Sequence, residues 1–344
     1  MRFAFISLCV IISSPLFSQA PSTALEYMRY LTDREHALSK KYLSYMSEVA
    51  HGNRARKMEK RRQDLIMEIR QSLSDATRLK PFKGDATLRE SFRNYWDILL
   101  KVFNEDFHKI VNMEEIAEQS YDNMEAYLLA QEKAGEVLDQ ASASITPVYQ
   151  NFAANNNIRL IDAGDSKMQQ KLRQVSLVNA YYHKMFLIFF KSYKQEAYVW
   201  DAFNRKDINS IEQNRNSLLK ICDEALLRLD TIKAFKGDNS LLNACRKVIE
   251  FHKMEAEKQI PGLSEYLLEN DEFSKIKKAF DTKAATDRTQ TDIDVYNKAV
   301  GDFNTAVNNS NKIVNDTNAA RQKILDHWEN TRKRFMELHV PKDK

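Results

Sequence analysis

Apolar side chains recur at helical spacing through most of the chain. One stripe has spacings of seven, four, three and four residues, and it consists of Leu31, Leu38, Tyr42, Tyr45 and Val49. A second stripe carries larger side chains and consists of Tyr182, Met185, Phe186, Phe189, Phe190, Tyr193 and Ala197. Such periodicity is typical of the buried face of a helix. We interpret both stripes as core, and a cofactor-binding face is the alternative for the aromatic one.

Helix breakers are rare between these stripes. The 344 residues include 7 Gly and 6 Pro, and residues 165–236 contain neither. Long stretches without breakers favour long helices over many short strands. The predicted helices are A (22–79), B (86–145), C (166–233), D (239–269) and E (290–338). We expect helix B to be interrupted near Asn112, and helix D to bend or end at Pro261-Gly262.

An internal repeat joins these helices in pairs. The segment LKPFKGDATL at 79–88 returns 153 residues later as IKAFKGDNSL at 232–241, with six of ten positions identical. Gly can adopt a positive φ after one helix, and Asp can accept the free amide protons of the next. We interpret both FKGD segments as turns between antiparallel helices, and a ligand-binding loop is the alternative.

The fold class predicted from these patterns is all-α, an elongated antiparallel helical bundle of two repeated long αα-hairpins. Its predicted divisions are a signal peptide (1–18), hairpin 1 (19–147, turn 82–85), a connector (148–165), and hairpin 2 with the C-terminal long helix (166–344, turn 235–238). The two turns are expected at the same end of the molecule.

The amino terminus has the pattern of a secretory signal peptide. Arg2 precedes the apolar run Phe3–Ile12, and small residues follow. Ten residues rise only about 15 Å as a helix, half of a bilayer core, so a retained anchor is the weaker interpretation. We expect cleavage after Ser18, and Cys9 does not fit a lipoprotein site. The sequence therefore predicts export to the periplasm, cell surface or medium, with no transmembrane segment after cleavage.

Several segments resemble an uncharacterised family of exported bacterial surface proteins of the leptospiral type. These are Phe103–Phe107, Met113–Tyr121, both FKGD turns and Tyr296–Val300. The resemblance covers most of the mature chain, and it implies export and a helical build. The family has no established activity, so the resemblance implies no site residue.

Known catalytic patterns are missing from the sequence. The scattered glycines exclude Gly-rich phosphate loops and nucleophile elbows, and no HExxH zinc motif occurs. Asp292–Tyr296 begins like a calcium loop but lacks its glycine. A single ExxH, Glu105 to His108, is half of what a di-iron bundle requires. We therefore predict no catalytic, metal-binding or cofactor-binding residue and no enzymatic activity.

Charge gives little indication of a partner. Removing Arg2 from the 52 basic residues leaves 51 against 48 acidic ones, a net charge of +3. This value is too small to indicate a polyanion, and export argues against nucleic acid.

One basic cluster stands out. It consists of Arg54, Arg56, Lys57, Lys60, Arg61 and Arg62. It is either an anion-binding patch or, as we favour, a set of ion pairs with acids near residues 105–118 on the antiparallel partner helix.

Helix E carries a row of amides on one face. The row consists of Asn297, Asn304, Asn308, Asn311, Asn315 and Asn318. Asn is a poor helix former, so the row needs a compensating role. The favoured role is a ladder of hydrogen bonds to neighbouring helices, and the alternative is an exposed partner-binding face, above all Asn304 to Asn318.

The two cysteines of the mature chain flank the second turn. Cys222 and Cys245 lie on antiparallel helices, so either a disulfide or two free buried thiols fits, and we favour the thiols.

Taken together, the sequence predicts an exported, non-catalytic protein with a binding or structural role at the cell envelope or surface. Its candidate partners are an envelope component, a glycan or a protein. The alternative function is a ligand carrier or enzyme that uses a cavity between helices.

Overall fold

A computed structural model describes residues 21–50, 55–106, 117–160 and 167–341, with backbone alone at Ala50, Ala55, Arg56 and Asp106. The fold is all-α, as predicted, and the described ranges contain no strand. The helices are α1 (Ala24–Ala50), α2 (Ala55–Arg78), α3 (Thr87–Lys101), α4 (Tyr121–Asn155), α5 (Lys167–Asn204), α6 (Ile208–Asp230), α7 (Ser240–Met254), α8 (Ile260–Thr282) and α9 (Gln290–His339). Two π-helical turns, Val102–Asp106 and Glu255–Gln259, continue α3 and α7.

The prediction of one continuous helix A is wrong. Helices α1 and α2 pack against each other as antiparallel neighbours. Two ion pairs fix their register, since Arg34 reaches Asp75 at 2.8 Å and Lys57 reaches Glu48 at 2.9 Å. Helices α1 and α2 are therefore two separate, antiparallel helices.

Helix C is also two helices. Helix α5 ends at Asn204, Lys206 adopts a φ of 58°, and the Asp207 carboxylate accepts a hydrogen bond from the Ser210 amide at 3.1 Å to begin α6. The Gln195 side chain then donates to the Asn214 carbonyl at 3.1 Å, so the two helices run antiparallel. Because a lysine occupies the left-handed position that glycine usually fills, the sequence gives only a weak sign of this break.

Both FKGD segments form turns, and their hydrogen bonding is the same. In the first, the amide of Phe82 donates to the Asp85 carbonyl at 3.0 Å and the reverse bond is 2.9 Å. Lys83 and Gly84 have φ values of 50° and 87°, which is the pattern of a type I′ turn. The Asp85 carboxylate accepts from the Thr87 amide at 2.8 Å, and Asp238 does the same for Ser240 at 2.7 Å. The predicted positive φ is confirmed. Each Asp accepts one free amide proton of the next helix, but the cap positions are Ala86 and Asn239 and not the Asp residues.

The remaining boundaries differ in part from the predicted ones. The expected cap at Asn112 lies outside the described residues, and α4 begins after Ser120, whose hydroxyl accepts from the Asn123 amide at 3.2 Å. Near Pro261, where a bend or an end was expected, the π-helical turn Glu255–Gln259 interrupts the α-helix and α8 begins at Ile260. Helix α8 continues beyond the expected end, to Thr282.

The chain forms two compact units. Unit 1 contains the described residues up to His183 and those from Lys333 onward, and unit 2 contains Lys184–Arg332. The core of unit 1 includes Trp96, Tyr27 and Tyr149, whereas that of unit 2 includes Ile249 and Trp328. No helix in the described ranges is long and apolar enough to cross a membrane.

Candidate functional site

The amide row of helix α9 is exposed to solvent. All six asparagines are exposed, and the described contacts give one side-chain bond among them, from Arg321 Nη1 to Asn318 Oδ1 at 2.6 Å. Arg321 belongs to the same helix. Within the described ranges, therefore, the amides do not form the favoured ladder to neighbouring helices.

The amide row extends over a pair of helix segments that contain no buried residue. We call residues 268–309 the arm; all of them are described, and none is buried, although Leu267 and Ser310 on either side are. The two segments of the arm contact each other through stacked rings, Phe273 on Phe303 at 4.6 Å and Phe280 on Tyr296 at 4.4 Å between centroids. Asn297, Asn304 and Asn308 lie on the arm, and Asn311, Asn315 and Asn318 continue the row beyond it.

The basic cluster is only partly available to a partner. The side chains of Arg54 and Arg56 lie outside the described residues, and Lys60 is exposed. Lys57 and Arg61 approach Glu48, the latter at 3.8 Å. The predicted partners Glu114 and Glu115 also lie outside the described ranges, as does His108 of the ExxH.

Arg62 does not belong to a surface patch. It is buried, it pairs with Glu59 at 2.7 Å, and its Nη1 donates to the carbonyl of Phe103 at 2.5 Å. That carbonyl lies in the first π-helical turn, so the guanidinium stabilises a local irregularity of the backbone.

The same arrangement returns 153 residues later. Arg215 pairs with Glu212 at 2.8 Å, and its Nε donates to the Ala256 carbonyl in the second π-helical turn at 2.7 Å. This repeated Glu-x-x-Arg pair was not predicted from the sequence. Extending the FKGD alignment upstream would have found it, because the offset is unchanged.

A buried polar cluster lies in unit 2. It joins helices α5, α7 and α9 and the second π-helical turn, and we call it the Arg321 cluster; its members are Ser192, Glu196, Trp200, His252, Glu255 and Arg321. The Arg321 guanidinium donates to both carboxylates, to Glu196 through Nε and to Glu255 through Nη2 at 2.7 Å. Trp200 Nε1 adds a bond to Glu255 at 2.9 Å, and its ring lies under the guanidinium at 4.7 Å.

Histidine 252 completes this cluster. Its Nδ1 lies 3.0 Å from the Ser192 hydroxyl, and its Nε2 lies 3.9 Å from the Glu196 carboxylate. Because the Ser192 hydroxyl donates to the Phe189 carbonyl at 3.0 Å, we assign the imidazole proton to Nδ1. His252 Nε2 is then an acceptor with no donor among the described residues. Glu255 Oε2 likewise has no donor there.

Burial controls the protonation of both groups. Desolvation, with the nearby Glu196 carboxylate, raises the pKa of Glu255 to about 8. Desolvation lowers the pKa of His252 to about 4. At neutral pH the carboxyl of Glu255 therefore holds a proton and the imidazole of His252 is neutral.

Unit 1 holds a smaller polar site. The Glu35 carboxylate accepts from the Tyr95 hydroxyl at 3.0 Å and from Trp96 Nε1 at 3.2 Å, and desolvation raises its pKa to about 7. It lines a cavity of about 20 Å³ with Tyr42 and Phe103. This volume holds a water molecule and is far below the hundreds of Å³ that an organic ligand needs.

The two cysteines of the described chain are free and buried, as we favoured. Among the described residues, no group of three or more His, Cys, Asp and Glu side chains is placed to hold a metal ion. No protein-family model, curated protein or solved structure matches this chain. The site must therefore be interpreted from its own geometry.

Proposed function

We propose that the protein is exported and acts as a non-catalytic binding protein at the cell envelope, with the amide row of α9 as its binding surface. The observation that carries this proposal is the exposure of all six asparagines on one helix. Their amides carry two donors and one acceptor each, which suits a hydroxyl-rich glycan or the polar surface of an envelope protein.

Helix propensity supports a role for the row outside the folded chain. Each Asn is less favourable than Ala by up to about 0.7 kcal/mol in an exposed helix. Six Asn residues together lower the stability of the helix by about 4 kcal/mol relative to Ala. Among the described contacts, the row makes one side-chain hydrogen bond, within the helix at Asn318. A residue pattern that weakens its own helix without improving packing is typical of a functional surface.

The buried polar groups support the non-catalytic part of the proposal. Glu196, His252 and Glu255 are the strongest acid and base candidates in unit 2, and they are almost completely shielded from solvent. A substrate could not reach them without opening the core, whereas catalysis requires direct contact with the reacting atoms.

The binding test uses the mature chain and isolated cell envelopes. The variant Asn304→Ala, Asn308→Ala, Asn311→Ala, Asn315→Ala should lose at least about tenfold in cosedimentation affinity, which corresponds to ~1.4 kcal/mol. The matched control Asn209→Ala, Asn216→Ala, Asn243→Ala changes exposed helical asparagines elsewhere in unit 2, and it should bind like the wild type. Equal binding by all three proteins would refute the proposed surface.

Export has its own test. Expression of the full chain in a secreting bacterial host should give a product whose first residue is Gln19, measured by amino-terminal sequencing. A full-length product that remains in the cytoplasm would contradict the exported location without bearing on the amide row.

A further inference from the structure

We infer that the Arg321 cluster is a binding site for one proton, held on the carboxyl pair of Glu196 and Glu255, and that this proton helps to fix helix α9 against α5 and the second π-helical turn. The inference is independent of the amide row. It concerns a buried site that takes no part in the proposed binding function.

The charges of the cluster are balanced only if one of its two acids is protonated. Two carboxylates, on α5 and on the π-helical turn, share a single guanidinium from α9. Glu255 and His252 are 0% exposed and Glu196 is 3% exposed. With both acids ionised the cluster would hold an uncompensated buried negative charge, which is strongly unfavourable in a low-dielectric interior. One proton makes the cluster neutral.

The hydrogen-bond inventory requires the same proton. Arg321 Nη2 and Trp200 Nε1 both donate to Glu255 Oε1, and Oε2 of the same carboxyl has no donor among the described residues. A buried carboxylate oxygen without a donor is costly, but a protonated oxygen is itself a donor. Acceptors are present in the same cluster, on His252 Nε2, which has no donor among the described residues, and on the Glu196 carboxylate, which lies 3.9 Å from that nitrogen.

Other titratable groups around the pair do not supply a compensating charge. The neighbouring group on α6 is the Cys222 thiol, whose pKa burial raises to about 12, so it is neutral. On α7, the neutral His252 faces the pair, and Lys253 pairs instead with Asp223 at 2.6 Å. Arg215 on α6 pairs with Glu212 and binds the Ala256 carbonyl. Glu257, on the π-helical turn, is exposed.

The proton predicts a defined pH dependence. The folded chain keeps a proton on Glu255 that the unfolded chain releases above about pH 4.5, so stability falls as pH rises from 4.5 to about 8. His252 acts in the opposite direction, because the unfolded chain binds a proton below about pH 6.5 that the folded chain excludes down to about pH 4. The two effects oppose each other between pH 4.5 and 6.5. Of these two effects, only the loss of stability due to Glu255 remains between pH 6.5 and 8.

The test compares Glu255→Gln with Glu257→Gln over that upper window. Gln resembles a protonated carboxyl, so Glu255→Gln should remove the loss of stability at rising pH. Glu257→Gln removes an exposed carboxylate from the same turn and should behave like the wild type. From pH 6.5 to 8 the unfolding equilibrium constant of the wild type should rise about 15-fold more than that of Glu255→Gln, because the tenfold rise per pH unit for one proton flattens as the pH approaches the pKa of about 8. Chemical denaturation at each pH measures both.

Two further readouts keep the inference falsifiable if Glu255→Gln folds poorly. Glu196→Gln leaves Arg321 with a single carboxylate, so it should move the alkaline loss to lower pH. In the wild type, amide hydrogen exchange of residues 310–325, corrected for intrinsic pH dependence, should accelerate selectively above pH 8. Wild-type and Glu255→Gln proteins with parallel stability profiles would overturn the proton site, as would exchange in α9 that is independent of pH.

Discussion

At the scale of single residues, two glycines with equal space around them should respond oppositely to the same substitution. An added Cβ meets nothing within 4 Å at either Gly84 or Gly301. Gly84 has a φ of 87°, so Gly84→Ala should lower the free energy of unfolding by about 1–2 kcal/mol through backbone strain alone. Gly301 lies inside α9, so Gly301→Ala should raise it by up to about 1 kcal/mol. Urea denaturation measures both.

The repeat provides the control for this pair. Gly237 occupies the second turn with a φ of 86° and similarly open space. Gly237→Ala should therefore lower the free energy of unfolding by about as much as Gly84→Ala. A stabilised Gly84→Ala variant would show that the turn does not require the left-handed conformation.

Arg62 supports a prediction about the first π-helical turn. Arg62→Ala removes a buried hydrogen bond from a charged donor to the Phe103 carbonyl, and such a bond contributes about 1.5–3 kcal/mol to stability. Lys60→Ala, an exposed change two residues away, should remain within about 0.5 kcal/mol of the wild type. Equal stability of the two variants in thermal denaturation would contradict a structural role for Arg62.

The same residues show what could be predicted from the sequence. Gly and Asp have strong local preferences, so the FKGD turns and the hydrogen bond from each Asp to the next helix were predictable from ten residues. The Arg321 cluster was not, because Glu196 and Arg321 are 125 positions apart and no spacing rule connects them. Buried ion pairs depend on tertiary packing, which a helical period does not specify.

At the scale of helices, predicted helices A and C are each two antiparallel helices. The rarity of Gly and Pro therefore does not determine the number of helices. The residue at the left-handed position after α5 is Lys206, a residue that strongly favours helix interiors in other contexts. Asp207 then caps α6, but a single Asp in a polar stretch gives a weak signal. Periodicity predicted the helical content correctly, whereas the number of helices depended in part on this local exception.

The amide row supports a prediction about helix stability that is separate from binding. The four exposed changes Asn304→Ala, Asn308→Ala, Asn311→Ala and Asn315→Ala should together raise the free energy of unfolding by about 2 kcal/mol, because Ala is the better helix former and no described hydrogen bond is lost. Guanidinium denaturation of the whole mature chain, followed by circular dichroism, measures the change. A destabilised variant would show that the amides hold the fold after all.

At the scale of the whole chain, the compact units do not follow the predicted divisions. The sequence repeat suggested a boundary at the connector 148–165, whereas the first unit extends to His183 and includes the end of α9. Within unit 1, the side chain of Gln174 donates to the His339 carbonyl at 3.0 Å, and Tyr181 stacks on Phe335 at 5.7 Å. A local repeat cannot reveal that a distant C-terminal segment completes the first core.

The last prediction concerns the thiols as reporters of unit 2. Cys222 and Cys245 are both 0% exposed, and burial raises the pKa of each thiol to about 12. Since the thiolate is the reactive form, both should resist an aromatic disulfide reagent in native buffer at pH 8 and react completely in denaturant. Their labelling rate at low denaturant should follow the opening of unit 2, and a stabilised Gly301→Ala variant should slow it. Rapid labelling of the native protein would show that the core around α6 and α7 opens locally, and failure to label in denaturant without reductant would reveal a disulfide.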